Sequence, residues 1–567
     1  MLKPEPIRGP AGASFYSRYL LFIAGVGGLL YGADIGIIAA ALLYVGRTIE
    51  LTLEQTSLIV AAVLGGSMVS SLAAGVLADW LGRRKMMILS GLMFIVSVAI
   101  IVFSRDFTAL FTGRLLQGMS GGVIAVVVPL YLAECLSAGQ RGRGTAIFQF
   151  FLTFGIVLAA LIGYLYTRQA EAAVALAHGN AILIRAAQNH AWRGMFLAVI
   201  YPGVIFFGGS FLLSETPRWL VRRGKNDEAL KALRRSVSED EAQREMAEMQ
   251  LLAKEAHSGS ASRESLLRRK YLVPFVLACI VLSLTQTTGI NSILSFLVVI
   301  LRQAGMTARH ATQGDVLVKL INCGATVVAV LLVDRKGRRF LLRMGTAGIV
   351  IALAVAGAIF VHAEAGRLDV KSRIEAAEVN NRITLPLDAA MGATNGRVMA
   401  LTVAYSYGHG EHIATVLSDV DHPVLEIAPE AGDREAALVI IRALYGPVPP
   451  EKTGWMVAAC LALFIMSYAV GPGVVVWLTL SELMPTRIRS TGMGIALLLN
   501  QGISTAIAGI FLPVVGNHGY ASMFFFWAAC TVAYYLTATF WLPETRGKSL
   551  EEIEMYFDKK PAPRAIG

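Results

Sequence analysis

The chain contains 567 residues, of which 55% are hydrophobic and only 16% are charged. Soluble globular proteins carry about 25% charged residues, so this composition, with a mean hydropathy of +0.60, excludes a soluble enzyme. Lysine and arginine exceed aspartate and glutamate by 50 to 39. Because the basic residues are interspersed with long apolar runs, a nucleic-acid-binding protein and a disordered chain are excluded as well. The composition indicates an integral membrane protein.

Twelve apolar segments are long enough to cross a bilayer, which requires about 20 residues per helix. They are 19–45, 56–79, 86–104, 108–134, 144–166, 194–213, 271–301, 313–333, 340–361, 455–484, 491–516 and 521–542. The first is too long for a signal peptide, so we expect it to remain as a helix. We therefore expect an all-α membrane protein, divided into a six-helix bundle over 1–214, a cytoplasmic helical linker over 215–270, a second six-helix bundle over 271–542 and a cytoplasmic tail over 543–567.

Basic residues concentrate in the loops that follow the even-numbered spans. The loops between spans 2–3, 4–5, 8–9 and 10–11 hold eleven basic residues, Arg83, Arg84, Lys85, Arg141, Arg143, Arg335, Lys336, Arg338, Arg339, Arg487 and Arg489. The loops between spans 1–2, 3–4, 7–8 and 11–12 hold four, Arg47, Arg105, Arg302 and Arg309. Because basic residues in short loops stay in the cytoplasm, we expect a protein of the cell membrane with both termini inside.

Three motifs recur at corresponding places in the two halves. They are Asp79-Trp-Leu-Gly-Arg-Arg84 with Asp334-Arg-Lys-Gly-Arg-Arg339, Glu134 and Arg141 with Glu482 and Arg489, and Ser214-Glu-Thr-Pro217 with Pro543-Glu-Thr-Arg546. Glycine permits a tight turn between helices, and the charged side chains can pair across neighbouring helices. We expect these charges to close the cytoplasmic face in one state and release it in another; simple anchoring of the helices is the alternative. The predicted gating charges are Asp79, Arg83, Arg84, Glu134, Arg141, Glu215, Asp334, Arg338, Arg339, Glu482 and Arg489.

The second half contains an insert. The first motif repeats after 255 residues and the second after 348, so the second half holds 93 additional residues. The polar stretch 362–454, with thirteen acidic and eight basic residues, accounts for them. We expect an extracytoplasmic domain, a lid or docking surface over the outer mouth. Its Gly408-His-Gly-Glu-His412 segment lacks a further ligand group at metal-binding spacing, so we expect a surface loop there and no metal.

The sequence resembles the sugar porter family of the major facilitator superfamily over nearly its whole length outside 362–454. The resemblance rests on the order of Gly75-x3-Asp79-x2-Gly82-Arg83-Arg84, Gly113-Arg114, Pro129-Leu-Tyr-Leu-Ala-Glu134, Arg141-Gly-Arg143, Glu215-Thr-Pro-Arg218-Trp219, Gln286-Thr-Thr-Gly-Ile-Asn291, Asp334-x2-Gly337-Arg338-Arg339, Trp477 to Glu482 with Pro485 and Arg489, and Pro543-Glu-Thr-Arg-Gly547. It implies two related bundles that rock in alternating access. No nucleotide loop, dinucleotide fingerprint or catalytic triad spacing is present, so we expect neither an enzyme nor a cofactor.

Asp34 lies among apolar residues of the first span. An aspartate in the bilayer centre costs about 2.5–3.5 kcal/mol on insertion scales, so we expect it to face a cavity or a partner. Arg114 of the fourth span is the charge that rocking can bring close. By resemblance, this pair marks proton-coupled symporters, whereas facilitators of the family tend to carry a neutral residue in place of Asp34. A structural ion pair without a coupling role is the alternative.

Amide side chains within the spans can bind a sugar, because they both donate hydrogen bonds to hydroxyl groups and accept them. An aromatic ring can stack on the apolar face of the sugar. By resemblance, the sugar contacts are Gln149, Gln286, Asn291, Asn322, Trp477 and Asn500. For each amide, hydrogen bonding between helices is the alternative. Thr285, Ile156 and Gln501 replace two glutamines and a tryptophan expected in the family, which leaves a polyol or a sugar acid open.

These features together predict proton-coupled uptake of a monosaccharide or related polyhydroxy compound. The expected partners are that solute, a proton and the lipid bilayer, without nucleic acid. A uniporter of the same fold and a non-transporting sugar sensor remain the alternatives. We also expect a bent tenth helix at Gly471-Pro-Gly473 and a surface pair, four residues apart, between Asp315 and Lys319.

Overall fold

The structure is a computed structural model of a mostly helical chain. It describes residues 11–136, 138–236, 239–258, 269–387, 398–408, 410–418, 423–429, 436–484, 489–544 and 557. The side chains of the predicted gating residues Arg141, Asp334 and Arg489 lie outside the described part.

Seven helices build the N-terminal half: α1 (Ala11–Thr48), α2 (Leu53–Leu81), α3 (Arg83–Phe103), α4 (Phe107–Cys135), α5 (Ala138–Leu176), α6 (Ala181–Ala198) and α7 (Ile200–Ser210). A capping box starts α2, because Thr52 Oγ1 accepts from the Gln55 N–H and Gln55 Oε1 accepts from the Thr52 N–H. Gly82 ends α2 with a φ of 102°, a conformation that favours glycine. The chain therefore reverses at once into α3.

Three helices, α8 (Pro217–Arg222), α9 (Asn226–Arg234) and α10 (Glu239–Ser258), connect this half to the next. The C-terminal half contains α11 (Arg269–Thr287), α12 (Ile290–Gln303), α13 (Ala308–Lys336), α14 (Arg338–Glu364), α16 (Glu451–Tyr468), α17 (Val474–Leu483) and α18 (Arg489–Phe540); α15 (Lys371–Ala376) belongs to the insert. A π-helical turn (Ala469–Gly473) separates α16 from α17, at the place where the sequence predicts a bend. Pro472 contributes to it because proline has no N–H to donate.

Eleven segments of the described chain are long and apolar enough to cross a membrane. The last of them, Gly492–Phe540, is 49 residues long and is interrupted at Gly519, whose φ of 80° is not helical. This segment therefore supplies two spans, which brings the total to twelve. The predicted fold class of two six-helix bundles is confirmed.

Small residues let the helices of a bundle approach closely, as is common in lipid. At Gly32 of α1, a Cβ atom would lie 1.8 Å from the Leu152 carbonyl oxygen of α5, so a larger residue would separate the two helices. Between the halves, α1 packs on α12, α5 on α13, and α2 on α18. The space that these three helix pairs enclose is the region in which the predicted site residues are expected to lie.

The insert is a small β domain. Its elements are β1 (Leu368–Asp369), α15 (Lys371–Ala376), β2 (Glu378–Val379), β3 (Arg382–Pro386), β4 (Met399–Ser406), β5 (His412–Leu417), β6 (Val424–Ile427) and β7 (Val439–Pro447). They form antiparallel sheets in the orders β1-β7-β4-β5 and β2-β3-β6. The insert has a core of its own, which includes Ile383, Leu401, Val403, Leu425 and Ile440. The sequence predicted the position of this domain but not its strands.

The segment between β4 and β5 touches both halves of the helical body. The Glu411 carbonyl accepts from the Leu53 N–H at 2.8 Å, and the Glu411 N–H donates to Glu54 Oε2 at 3.2 Å. Asn517 Nδ2 of the C-terminal half lies 3.4 Å from both Glu411 carboxylate oxygens. We call the end of the bundle that carries these contacts the insert face. The opposite end, with the turns at Gly82 and Gly337, is the motif face.

Candidate transport site

Asp34 of α1 and Arg114 of α4 lie against each other inside the N-terminal half, and each is 1% exposed. Arg114 Nη1 donates to Asp34 Oδ1 at 3.1 Å and to Gln117 Oε1 at 2.6 Å. Gln117 follows Arg114 by three residues, so α4 presents both side chains on one face. The structure therefore brings the predicted pair together and adds Gln117 as a second acceptor for the guanidinium.

The second carboxylate oxygen of Asp34, Oδ2, accepts no hydrogen bond from the described residues. It faces Gly121, where a Cβ atom would lie 3.6 Å from Oδ2 and 3.0 Å from Tyr31 Cδ2. The Phe196 ring lies 5.4 Å from the Arg114 guanidinium carbon and covers the pair with an apolar surface. A carboxylate oxygen without a donor can take up a proton without breaking a hydrogen bond.

Three predicted amides form one chain of hydrogen bonds in the C-terminal half. Asn291 Nδ2 donates to Gln286 Oε1 at 3.0 Å, and Gln286 Nε2 donates to Asn500 Oδ1 at 3.2 Å. Asn291 Nδ2 also donates to Ser504 Oγ at 2.7 Å. The cluster joins α11, α12 and α18. Each amide has a donor and an acceptor end, so a ligand that enters here meets both kinds of group.

A break in the seventh span lies within this cluster. Gly289 separates α11 from α12 with a φ of 83°, and Gln286 and Asn291 lie on either side of the break. A Cβ atom at Gly289 would lie 2.4 Å from the Trp527 ring. Both the conformation and the space therefore require glycine. The sequence expectation of one continuous span over 271–301 missed this break, although the glycine after Thr288 was the signal for it.

The other predicted sugar contacts lie outside this cluster. Gln149 of α5 lies one turn before Thr153, whose hydroxyl is 3.6 Å from the sulfur of Cys323, the residue after Asn322 on α13. Trp477 of α17 is 49% exposed. Within the described part of the chain, no hydrogen bond joins these three side chains to the amide cluster.

Tyr31 is a site residue that the sequence did not identify as such. It precedes Asp34 by one helical turn, and both side chains face Gly121, where a Cβ atom would lie 3.0 Å from Tyr31 Cδ2 and 3.6 Å from Asp34 Oδ2. Tyr31 therefore packs against α4 beside the buried carboxyl. Its one-turn spacing from Asp34 is common along helices and was not a distinctive signal.

The sequence model of the family described as "Sugar (and other) transporter" matches residues 20–374 and 436–557. The chain belongs to this family. The glucose transporter GlcP of Staphylococcus epidermidis is 27% identical over 542 residues, which cover 95% of this chain and 97% of GlcP. The human proton myo-inositol cotransporter is 26% identical over 568 residues, which cover 95% of this chain and 81% of that protein. The inward-open conformation of the xylose transporter XylE from E. coli has the same fold, with a TM-score of 0.67 at 19% identity over 94% of this chain and 98% of XylE.

The resemblance to sugar porters of the major facilitator superfamily is thereby confirmed. This sugar transporter family member is a multi-pass membrane protein and not an enzyme. The family match stops at residue 374 and resumes at 436, so most of the β domain lies outside the matched region.

At the motif face of the transporter, Arg83 joins three helices. Its guanidinium Nη2 lies 2.7 Å from Asp79 Oδ1 and 3.0 Å from Glu134 Oε1, and its Nη1 donates to the Ala78 carbonyl at 3.0 Å. Glu134 Oε2 accepts from Thr216 Oγ1 at 2.6 Å. Arg83 is 2% exposed, so this network is a buried polar connection of α2, α3 and α4 to the segment after α7.

The predicted gating residue Glu215 caps α3. Its Oε1 accepts from the backbone N–H groups of Arg83 at 2.8 Å and Arg84 at 3.1 Å. Burial raises the pKa of the Glu215 carboxyl, against the lowering effect of these N–H groups. A Cβ atom at Gly82 would lie 2.4 Å from Glu215 Oε2, so the glycine makes room for the cap.

The C-terminal half repeats this arrangement. Glu544 Oε1 accepts from the Arg338 N–H at 3.0 Å, and its Oε2 accepts from the Arg339 N–H at 3.1 Å. Arg338 Nη2 donates to Glu482 Oε1 at 3.0 Å. A Cβ atom at Gly337 would lie 2.8 Å from Glu544 Oε2. The described ion pairs of the motif face therefore connect helices within each half, Arg83 with Glu134 and Arg338 with Glu482.

Two arginines at the motif face donate to helix ends instead of to carboxylates. Arg84 Nη2 donates to the Phe211 carbonyl at 2.6 Å, and Arg339 Nη2 donates to the Thr539 carbonyl. Because the last carbonyls of a helix have no partner within it, these side chains fix the ends of α7 and α18.

The expected surface pair of Asp315 and Lys319 is buried. The two side chains are 1% and 0% exposed, and Lys319 Nζ lies 2.8 Å from Asp315 Oδ2. Lys319 Nζ also donates to the Gly36 carbonyl of α1 at 3.0 Å. The prediction of a pair four residues apart was correct, but its placement at the surface was wrong, because α5 of the other half packs on α13 and the Gly36 carbonyl of α1 accepts from Lys319.

Proposed function

We propose that this transporter couples the inward movement of a monosaccharide or related polyol to the movement of a proton, by alternating access. The observation that carries the proposal is the buried Asp34 carboxylate, with Oδ1 held by Arg114 and Oδ2 without a donor among the described residues. Two opposite charges inside a bundle are expensive to keep. A role in which one of them is periodically neutralised accounts for this expense.

In the proposed cycle, a proton binds Asp34 Oδ2 and removes the carboxylate charge that attracts Arg114. Arg114 retains its hydrogen bond to Gln117 Oε1 at 2.6 Å, so the guanidinium keeps an acceptor when Asp34 is neutral. The weaker attraction between α1 and α4 lets the N-terminal half rearrange against the C-terminal half. The contact of α1 with α12, which carries Asn291, transmits the change toward the amide cluster.

A polyhydroxy solute suits the amide cluster of Gln286, Asn291 and Asn500. The three side chains bond to one another at 3.0 and 3.2 Å, which positions donors and acceptors together before a ligand arrives. Glucose and myo-inositol, named for two relatives of the chain, are both rings of hydroxyl groups. We propose that Gln149, Asn322 and Trp477 complete the site when the halves move.

We place the motif face in the cytoplasm and the insert outside the cell membrane. Arg83, Arg84, Arg338 and Arg339 cluster at the motif face, as cytoplasmic loops require. Hydrogen bonds of Glu411 to Leu53 and Glu54 join the halves at the insert face. These contacts support a conformation that is closed to the outside, with the β domain as a lid over the outer mouth.

The test is a screen of sugars, polyols and sugar acids in proteoliposomes with an imposed pH gradient, comparing the wild type with Asp34→Asn. A gradient of about two pH units sustains at most about a hundredfold accumulation in a one-to-one symporter, from the relation of about 1.4 kcal/mol per tenfold ratio. Wild-type accumulation against the solute gradient, lost in Asp34→Asn while exchange of labelled solute persists, supports proton coupling. Asp106→Asn is the matched control, because asparagine caps a helix as well as aspartate does and Asp106 is the exposed cap of α4.

The other outcomes separate the alternatives. Wild-type exchange that never exceeds equilibrium at any pH gradient identifies a uniporter and refutes the coupling role of Asp34. Saturable binding without exchange identifies a sensor and refutes transport.

A further inference from the structure

The transporter carries a further buried ion pair, which the proton cycle does not use. Asp315 and Lys319 lie on α13 with 1% and 0% exposure, 2.8 Å apart. They lie in the half of α13 that is nearer to the insert face, and Asn322, a proposed sugar contact, follows Lys319 by three residues on the motif-face side. The pair therefore lies between the outer mouth and the amide-lined region.

The position of the Lys319 ammonium links the two halves of the molecule. Besides Asp315, its acceptor is the carbonyl of Gly36 in α1, at 3.0 Å. Gly36 is packed closely, because a Cβ atom there would lie 2.8 Å from Ala159 Cβ and 2.9 Å from the Ile156 carbonyl of α5. The bond thus fixes α13 of one half to the tight α1–α5 contact of the other, two residues beyond Asp34.

A purely internal ion pair would not need this third partner. Asp315 and Lys319 are four residues apart on one helix and can neutralise each other in any conformation of the transporter. Only the Gly36 carbonyl belongs to the opposite half. A charged donor makes this hydrogen bond stronger than one between neutral groups, and separation of the halves at the insert face would break it.

We propose that Lys319, oriented by Asp315, is a latch that holds the outer half of the transport pathway closed. In the closed state the ammonium bridges Asp315 and Gly36. In the outward-open state α1 moves away, and water replaces the Gly36 carbonyl. The proposal rests on the alternating-access part of the proposed function, but not on proton coupling.

The test measures the opening of the insert face directly. Spin labels at Glu50→Cys and His518→Cys, both exposed positions on opposite halves, report the distance across the outer mouth by pulsed electron paramagnetic resonance. The half-buried Cys460 and Cys530 are replaced by serine in the background. Lys319→Met should move the population toward longer distances by about tenfold, the effect of losing one hydrogen bond to a charged group. Lys319→Arg, which restores a charged donor, should return it toward the wild type.

The double variant Asp315→Asn/Lys319→Met separates a latch from a structural ion pair. It leaves no unpaired charge in the helix, so its thermal stability should recover relative to Lys319→Met alone. Under the latch proposal its outer mouth stays more open than in the wild type, because Gly36 still lacks the donor. A double variant that recovers the wild-type distances together with stability overturns the latch.

Thr312→Val is the matched control on the same helix. Thr312 is 1% exposed, and among the described residues its hydroxyl bonds only to the Ala308 and Arg309 carbonyls of α13. The spin-label distances in Thr312→Val should equal those of the wild type. An opening in this variant as large as that in Lys319→Met would also overturn the latch. A loss of proton-driven uptake without any change in these distances counts only against proton coupling.

Discussion

The two halves of the transporter contain the same ion pair at different depths, which allows a direct test of burial. Arg83 and Glu134 are 2% and 7% exposed, whereas Arg338 and Glu482 are 13% and 23% exposed. We compare Glu134→Gln with Glu482→Gln. Glutamine keeps the shape of glutamate and one acceptor oxygen but removes the negative charge. Each variant therefore leaves its arginine with one carboxylate partner less.

The expected losses in the free energy of unfolding differ by about threefold. Removing one partner of a buried ion pair costs about 3–5 kcal/mol of stability. In Glu134→Gln, Arg83 still has Asp79 at 2.7 Å, so the expected loss is at the low end of that range, about 3 kcal/mol or somewhat less. A partly hydrated pair is worth about 1 kcal/mol or less, which sets the expectation for Glu482→Gln.

The assay is thermal denaturation of the purified protein in detergent at a fixed scan rate, because membrane proteins often unfold irreversibly. Glu228→Gln, in an exposed pair with Lys225, serves as the control and should leave the midpoint unchanged. A midpoint drop for Glu482→Gln as large as for Glu134→Gln would refute the argument that burial sets the weight of these pairs.

Two further predictions concern a helix break and the lid. Gly289→Ala should lower solute affinity by about tenfold or more, because the added Cβ would lie 2.4 Å from the Trp527 ring and the φ at this position disfavours other residues. Equilibrium binding measures the affinity. Gly46→Ala is the control and should bind normally, because no atom lies within 4 Å of its added Cβ. Glu54→Ala should speed hydrogen exchange of the Glu411 amide by about fivefold, because one part-buried hydrogen bond is lost. Mass spectrometry measures the exchange, and an unchanged rate would show that the bond does not hold the lid.

Hydropathy was sufficient to predict the helical body, because a bilayer imposes both length and apolar composition on every span. It was not sufficient for the insert. The strands there are short, from two residues in β1 to nine in β7, and several offer too few residues for a period-two pattern to be recognised. Nor does hydropathy detect Gly289, since a broken helix has the same composition as a continuous one.

The candidate site was predictable in residue types and less so in contacts. An aspartate and an arginine within apolar spans indicate a pair, and the structure places Asp34 and Arg114 in contact. Gln117 and Tyr31 escaped notice because polar residues one turn away along a helix have no distinctive spacing of their own. Lys319 was assigned to the surface because the spacing to Asp315 is the same whether water or another helix covers it.

The β domain has a consequence for the history of the chain. Leu368 of β1 is paired with Tyr445 of β7, so the polypeptide departs from the helices and rejoins them at neighbouring points. What lies between can lengthen, shorten or be exchanged without shifting α14 or α16. The family match, which stops at 374 and resumes at 436 inside this strand pair, is what a modular acquisition would leave behind. The same junction is a natural place to graft a foreign domain.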